Sequence, residues 1–151
     1  MLSKTCTYGL QAAIYIASQP HNELVGIQTI ADSLNISFHF LTKVLQQLTA
    51  AGLLISQRGV HGGVMLAKNS EDITLYDIIS VIEGRDKFEQ CIMGLPGCGS
   101  AVPCPLHEHW SSLRTEIGRV FIKTKLSELA DSSNRLNLRL AHPELINGIS
   151  I

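Results

Sequence analysis

A chain of 151 residues with 45% hydrophobic content can build one domain with a real core, and 17% charged residues without low-complexity tracts exclude a charge-rich disordered chain. No apolar run approaches the length of a membrane-spanning helix, which excludes a span of that kind. The net charge of −1 announces no nucleic-acid partner, but the charge is uneven: Lys4, Lys43, Arg58 and Lys68 stand against only Glu23 and Asp32 in residues 1–68, whereas the rest holds eight basic and eleven acidic residues.

The first stretch, MLSKTCTYGLQAAIYIAS, has the mild apolarity of a signal peptide, but polar Thr7 and Gln11 interrupt it. Leu10, Ala13, Ile14 and Ala17 recur at helical spacing, so an amphipathic helix is expected from Ser3 to Ser18, with Cys6 on its polar side. A cytoplasmic chain follows, in which clustered thiols mean metal or redox chemistry more often than disulfides. Pro20 and Asn22 break the helix. In VGIQTIADSLNIS, Ile27, Ile30, Ala31 and Leu34 share one face and Asn35 is a natural stop. Ser37 then opens a second helix that turns Leu41, Val44, Leu45 and Leu48 inward and ends at Gly52. Two short helices about three residues apart make a helix-turn-helix pattern.

LLISQRGVHGGVMLA supplies two β-prone runs, Leu53–Gln57 and Val64–Ala67, around a turn with Gly59, Gly62 and Gly63. A hairpin placed directly after a helix-turn-helix is a wing. ITLYDIISVIEG is a further helix, with Ile78, Ile79 and Ile82 apolar and Gly84 as terminator. Then comes CIMGLPGCGSAVPCPLH, followed by a helix expected to run unbroken from Pro105 to Ala130, ~39 Å long. Its residues Leu106, Trp110, Leu113, Ile117 and Val120 form an apolar seam that a second copy of the chain would cover. The expected architecture is mainly α with a small β-wing. A winged helix-turn-helix DNA-binding domain occupies 1–84, a cysteine-rich cluster-binding loop 85–104, a dimerisation helix 105–130, and a polar tail, expected to be mobile, 131–151.

The outward face of the second helix of the pair is a candidate DNA reader. Recognition helices meet base edges mainly from their N-terminal turns, which selects Ser37, His39, Thr42 and Lys43, with Gln46 further along. At the hairpin tip, Arg58 suits a minor groove or a phosphate, and His61 lies beside it. Cys91, Cys98 and Cys104 are spaced C-x6-C-x5-C, and His107 follows at C-x2-H. Structural zinc usually takes a C-x2-C knuckle, absent here, while wider gaps suit a small iron–sulfur cluster held by thiolates, with histidine able to replace one. Cys104 and His107 would lie on one face at the start of the long helix, at its positive end. Zinc in the same loop remains open, as does a cluster-free winged-helix module that docks on an enzyme and signals through its thiols. An enzyme is disfavoured: there is no GxGxxG, no Ser/His/Asp arrangement and no CxxC pair.

From residue 1 to about 130 the chain resembles the IscR/NsrR/CymR-type bacterial transcription regulators, the Rrf-two family. TYGLQAAIYIA, IADSLNIS, LTKVLQQLTAAGLLISQRGVHGGVMLAK, ITLYDII and the C…C…CPLHEHW run carry the resemblance. It implies a homodimer that binds palindromic double-stranded promoter DNA and does not engage a membrane. The IscR-like members imply a 2Fe–2S cluster, rather than 4Fe–4S, on Cys91, Cys98, Cys104 and His107. NsrR-like members imply nitric oxide sensing, RirA-like ones iron, and CymR-like ones no cluster. Three positions depart from those patterns: the first cysteine gap is one residue longer than in IscR, Thr7 stands where NsrR-like members have an acidic ligand, and Thr42 stands where IscR has a glutamate.

Overall fold

Ser3 starts the first helix by accepting a hydrogen bond from the Cys6 amide (3.1 Å), and Asn35, in the left-handed region, stops the second. The computed structural model describes residues 2–96, 101–136 and 140. Its elements are α1 (Lys4–Ala17), α2 (Ile27–Leu34), α3 (Phe38–Ala50), β1 (Leu54–Gln57), β2 (Gly63–Leu66), α4 (Leu75–Glu83), α5 (His107–Lys123) and α6 (Leu126–Leu136). Single 3-10 turns at Ser70–Asp72 and Arg85–Phe88 flank α4. This is the winged helix expected from the sequence.

The core lies between α1, α3 and α4. Leu41, Val44, Leu45 and Leu48 of α3 and Ile78 and Ile79 of α4 are all buried, as their spacing required. The apolar face of α1 is rotated from the expected one: Cys6, Gly9, Ala12, Ala13 and Ile16 are innermost, and Leu10, Ile14 and Ala17 pack at the margin. Cys6 is therefore a core residue, not a residue of the polar side. Gly9 allows α1 to approach α4, since a Cβ there would collide with the Ile82 side chain. Thr74 and Asp77 cap α4 reciprocally, each side chain serving the other's backbone amide.

β1 and β2 pair antiparallel, Leu54 opposite Leu66 and Gln57 opposite Gly63. Val25, ahead of α2, adds a third short edge: Val25 and Val64 exchange two hydrogen bonds of 2.9 Å, and a Cβ on Gly63 would strike the Val25 carbonyl. The wing is thereby tied to the entry of the helix-turn-helix.

The helix expected over 105–130 is two helices. No Gly or Pro ends α5 at Lys123; a pairing across the chain does. Leu75 donates to the Thr124 carbonyl (3.1 Å) and Leu126 to the Ile73 carbonyl (2.9 Å), which pulls Thr124 and Lys125 out of helical geometry. α6 then packs back on α1, with Leu126 and Ala130 buried and Asn134 donating to the Ser18 carbonyl (3.2 Å). The polar stretch after Ala130 thus continues as helix to Leu136, where a mobile tail was expected. Among the described residues no helix is long and apolar enough to cross a membrane.

Candidate nucleic-acid interface and cysteine segment

α3 buries one side and shows the other. Ser37, His39, Lys43 and Gln46 are exposed and Thr42 is half-buried, all on or beside the outward face. Ser37 holds the N-cap position without spending its side chain on a cap, so its hydroxyl is presented outward. An open groove of about 620 Å³ runs between α3 and the wing, walled by Phe38, Thr42 and Gln46 on one side and Gln57, Arg58 and Gly62 on the other. Gly59 takes a φ of +116°, which turns the strand out of β1 directly after Arg58, and Val60 and His61 form an exposed tip. All seven residues selected from sequence for DNA contact are accessible; the fold brings Thr42, Gln46 and Arg58 to the walls of one groove, and Ser37, His39, Lys43 and His61 lie outside its lining.

The cysteines are not equivalent. Cys6 is sealed in the core; burial, reinforced by Glu83 and only partly opposed by Lys87, pushes its thiol up to about 12. At neutral pH it stays a thiol, closed off from solvent. Cys91 and Cys104 are half-buried at the two ends of the loop, and Cys98 lies outside the described residues. α5 begins at His107, so Cys104 sits in the turn ahead of the helix rather than on its first turn. The His107 amide nonetheless donates to the Cys104 carbonyl (2.9 Å), keeping the two residues together. α5 also holds the other end of the loop: Trp110 Nε1 donates to the Gln90 carbonyl (3.1 Å) and Arg114 Nη1 to the Glu89 carbonyl (2.7 Å). Cys91 therefore leaves from a backbone pinned to α5. The donor set suits an iron–sulfur group, soft sulfurs with an imidazole at a helix start. Among the described residues, no three His, Cys, Asp or Glu side chains converge closely enough to hold a metal ion.

Sequence reading missed Phe88. It stacks on Phe121 (5.4 Å between centroids), meets Tyr76 (6.0 Å) and lies against Gly118, wedging α5 to α4. Its signal was weak, a lone aromatic among charges. On the other side of α5 the expected seam is visible: Leu113 and Val120 are 57% and 58% exposed, Leu106 lies in line with them, and Trp110 and Ile117 are half-buried beside the row.

The family model for "Rrf2: Iron-dependent Transcriptional regulator" matches residues 2–132. The chain belongs to the Rrf2 family. This Rrf2 protein is 33% identical over 131 residues to a protein of Aquifex aeolicus (strain VF5) named as an HTH-type transcriptional regulator, covering 85% of this chain and 90% of that one. It is 32% identical over 90 residues to the regulator NsrR of Shouchella clausii (strain KSM-K16), covering 60% of each. Among solved structures, CymR of B. subtilis, described as its global cysteine regulator, superposes with a TM-score of 0.71 at 30% identity, over 87% of this chain and 96% of CymR. IscR of T. potens superposes with a TM-score of 0.73 over 92% of each chain at 24% identity, a likeness of fold. Rrf2 regulators bind DNA and act as dimers, so this one is a DNA-binding regulator of transcription and not an enzyme.

Proposed function

We propose that this Rrf2 regulator is a cytoplasmic homodimer that binds a palindromic promoter site and reports the state of an iron–sulfur cluster of the 2Fe–2S type, carried by Cys91, Cys98, Cys104 and His107. The cluster would supply a redox-active, oxygen- and nitric-oxide-sensitive centre. Ser37, His39, Thr42, Lys43 and Gln46 face the major groove, and Arg58 with His61 grips the adjacent backbone or minor groove. The row Leu106, Leu113 and Val120 pairs with its counterpart in the second copy.

The observation that carries this reading is the pinning of the loop to α5. Trp110 and Arg114 hold the carbonyls just ahead of Cys91, and Cys104 and His107 lead into the same helix. A change in what the thiols hold therefore pulls on α5. Through Phe88 it pulls on α4, which packs on α3. The spacing of two recognition helices is what a palindromic site measures.

A second reading, a cluster-free thiol or zinc regulator, is favoured by the CymR likeness. An oxidised form of Staphylococcus aureus CymR superposes with a TM-score of 0.70 at 28% identity. Protein purified without oxygen separates the two. Visible absorbance with stoichiometric iron and sulfide is expected, largely abolished by Cys91→Ala, Cys98→Ala or Cys104→Ala. His107→Ala should leave a more labile cluster, and Cys6→Ala should retain the full iron content. Colourless protein without iron, or zinc in its place, gives the site to the second reading.

A further inference from the structure

The groove between α3 and the wing has an apolar floor, with Ile27, Leu45 and Val64 in its lining, and an apolar side chain at its α3 edge. Phe38, the first residue of α3, is 39% exposed and lines that groove. Thr42 lies one turn later on the same side. Its Oγ1 donates to the Phe38 carbonyl (2.8 Å), so its hydroxyl proton is already used and it offers DNA a methyl group and a lone pair. Phe40 is a different case, because its ring is covered edge-on by Tyr8 at 5.6 Å. The Phe38 ring meets the exposed His39 edge-on at 5.7 Å and lines the groove, which Phe40 does not.

We infer that the recognition helix reads thymine methyl groups through the Phe38 ring and Cγ2 of Thr42. The floor of the major groove offers hydrogen-bonding groups at every base pair and one apolar group, the C5 methyl of thymine. Phenylalanine can use only the latter, and it stands in the N-terminal turn that approaches the bases. His39 and Lys43 supply polar contacts on the neighbouring face, and Gln46 one further along the same wall. The inference rests on α3 being the DNA reader, and it adds a base preference that those polar residues do not impose.

The experiment uses the full chain, purified without oxygen, and a pool of randomised DNA duplexes from which bound sequences are selected. The consensus duplex is then resynthesised with deoxyuridine replacing thymidine one position at a time. Uracil keeps every hydrogen bond of thymine and lacks only the methyl. At one or two positions of each half-site, uracil should weaken binding about fourfold, the equivalent of ~0.8 kcal/mol for one buried methyl at 1.4 kcal/mol per factor of ten. Phe38→Ala and Thr42→Ser, checked for native circular dichroism, should each bring the thymine-to-uracil ratio at one such position to about one, and Thr42→Val should preserve it. Equal binding of thymine and uracil duplexes by the unaltered chain overturns the inference and leaves the ring against the sugar–phosphate backbone. An unchanged ratio in both Phe38→Ala and Thr42→Ser overturns the assignment to these side chains. Failure to select any sequence overturns the recognition surface itself, and the inference with it.

Discussion

Residues 2–84 with α6, and the segment from Arg85 to Lys123, are built on opposite terms. The first covers its own apolar surface: α1, α3 and α4 bury one another, the wing is tied back to Val25, and α6 closes the remaining side of α1. The second attaches through Phe88, which meets Tyr76, through the Lys87–Glu83 pair and through the Tyr76 hydroxyl on the Arg85 carbonyl, while Ile92, Met93, Leu95, Val102, Leu113 and Val120 face outward. A region that completes its own core needs nothing further to be shaped. A region that leaves so many large apolar side chains outside is shaped by what it meets, which on the proposed function is a second subunit and a cluster. The division suits a regulator, since the reader of DNA stays constant while the reporting element responds.

The contrast is tested most strongly at Ile79, fully buried in α4. Ile79→Ala should cost about 2–5 kcal/mol of unfolding free energy, read by urea denaturation, because a cavity opens where three helices meet. A cost below ~1 kcal/mol would mean that the core is looser than its burial implies.

A smaller effect is expected at Glu83, where the two regions join. Its carboxylate accepts the Ser3 amide (2.7 Å) and pairs with Lys87 (2.9 Å), fastening the start of α1 to the end of α4 and the turn that follows. Burial alone would raise its pKa, but the hydrogen bonds from Ser3 and the Lys87 ammonium outweigh that and hold it at about 2, below the ordinary 4.5. A carboxyl depressed on folding contributes its full stabilisation above pH 4.5 and loses it as pH falls from 4.5 towards 2. Glu83→Gln should therefore cost about 1–2 kcal/mol at neutral pH and flatten the fall of stability across that window, read as denaturation midpoints against pH. An unaltered pH profile would show that the fastening contributes nothing.

The smallest effect on the folded subunit is expected at Leu113. Leu113→Asp places a charge on a face that the subunit does not use for itself, so circular dichroism should be unchanged and subunit stability altered by less than ~0.5 kcal/mol. Light scattering should fall from twice the 16.5 kDa chain mass to that mass. If Leu113→Asp instead unfolds the chain, the two regions are one cooperative unit and the contrast fails.

The sequence by itself determined the elements whose signals are local. The periodicity of α3, the glycines of the hairpin tip, Asn35 as a stop and the terminator Gly84 each act within a few residues, and the structure returns them within one or two positions. It also singled out Cys91, Cys104 and His107, whose types and spacing are chemical facts of the chain, and it marked the exposed faces of α3 and α5. What depends on distant partners was decided only by tertiary structure. Nothing between Gly118 and Leu136 forbids one continuous helix; the break at Thr124 exists because Ile73 and Leu75 offer backbone partners there, and Leu126 gains a buried site by turning back. Cys6 left the polar side because α1 is covered by several elements at once and a single-face pattern underestimates what is buried. The hold of Trp110 and Arg114 on the carbonyls ahead of Cys91 spans 20 and 25 residues, and no local preference encodes it. Backbone groups of an irregular segment are satisfied by whatever the fold brings near, so this part of the site became visible only in three dimensions.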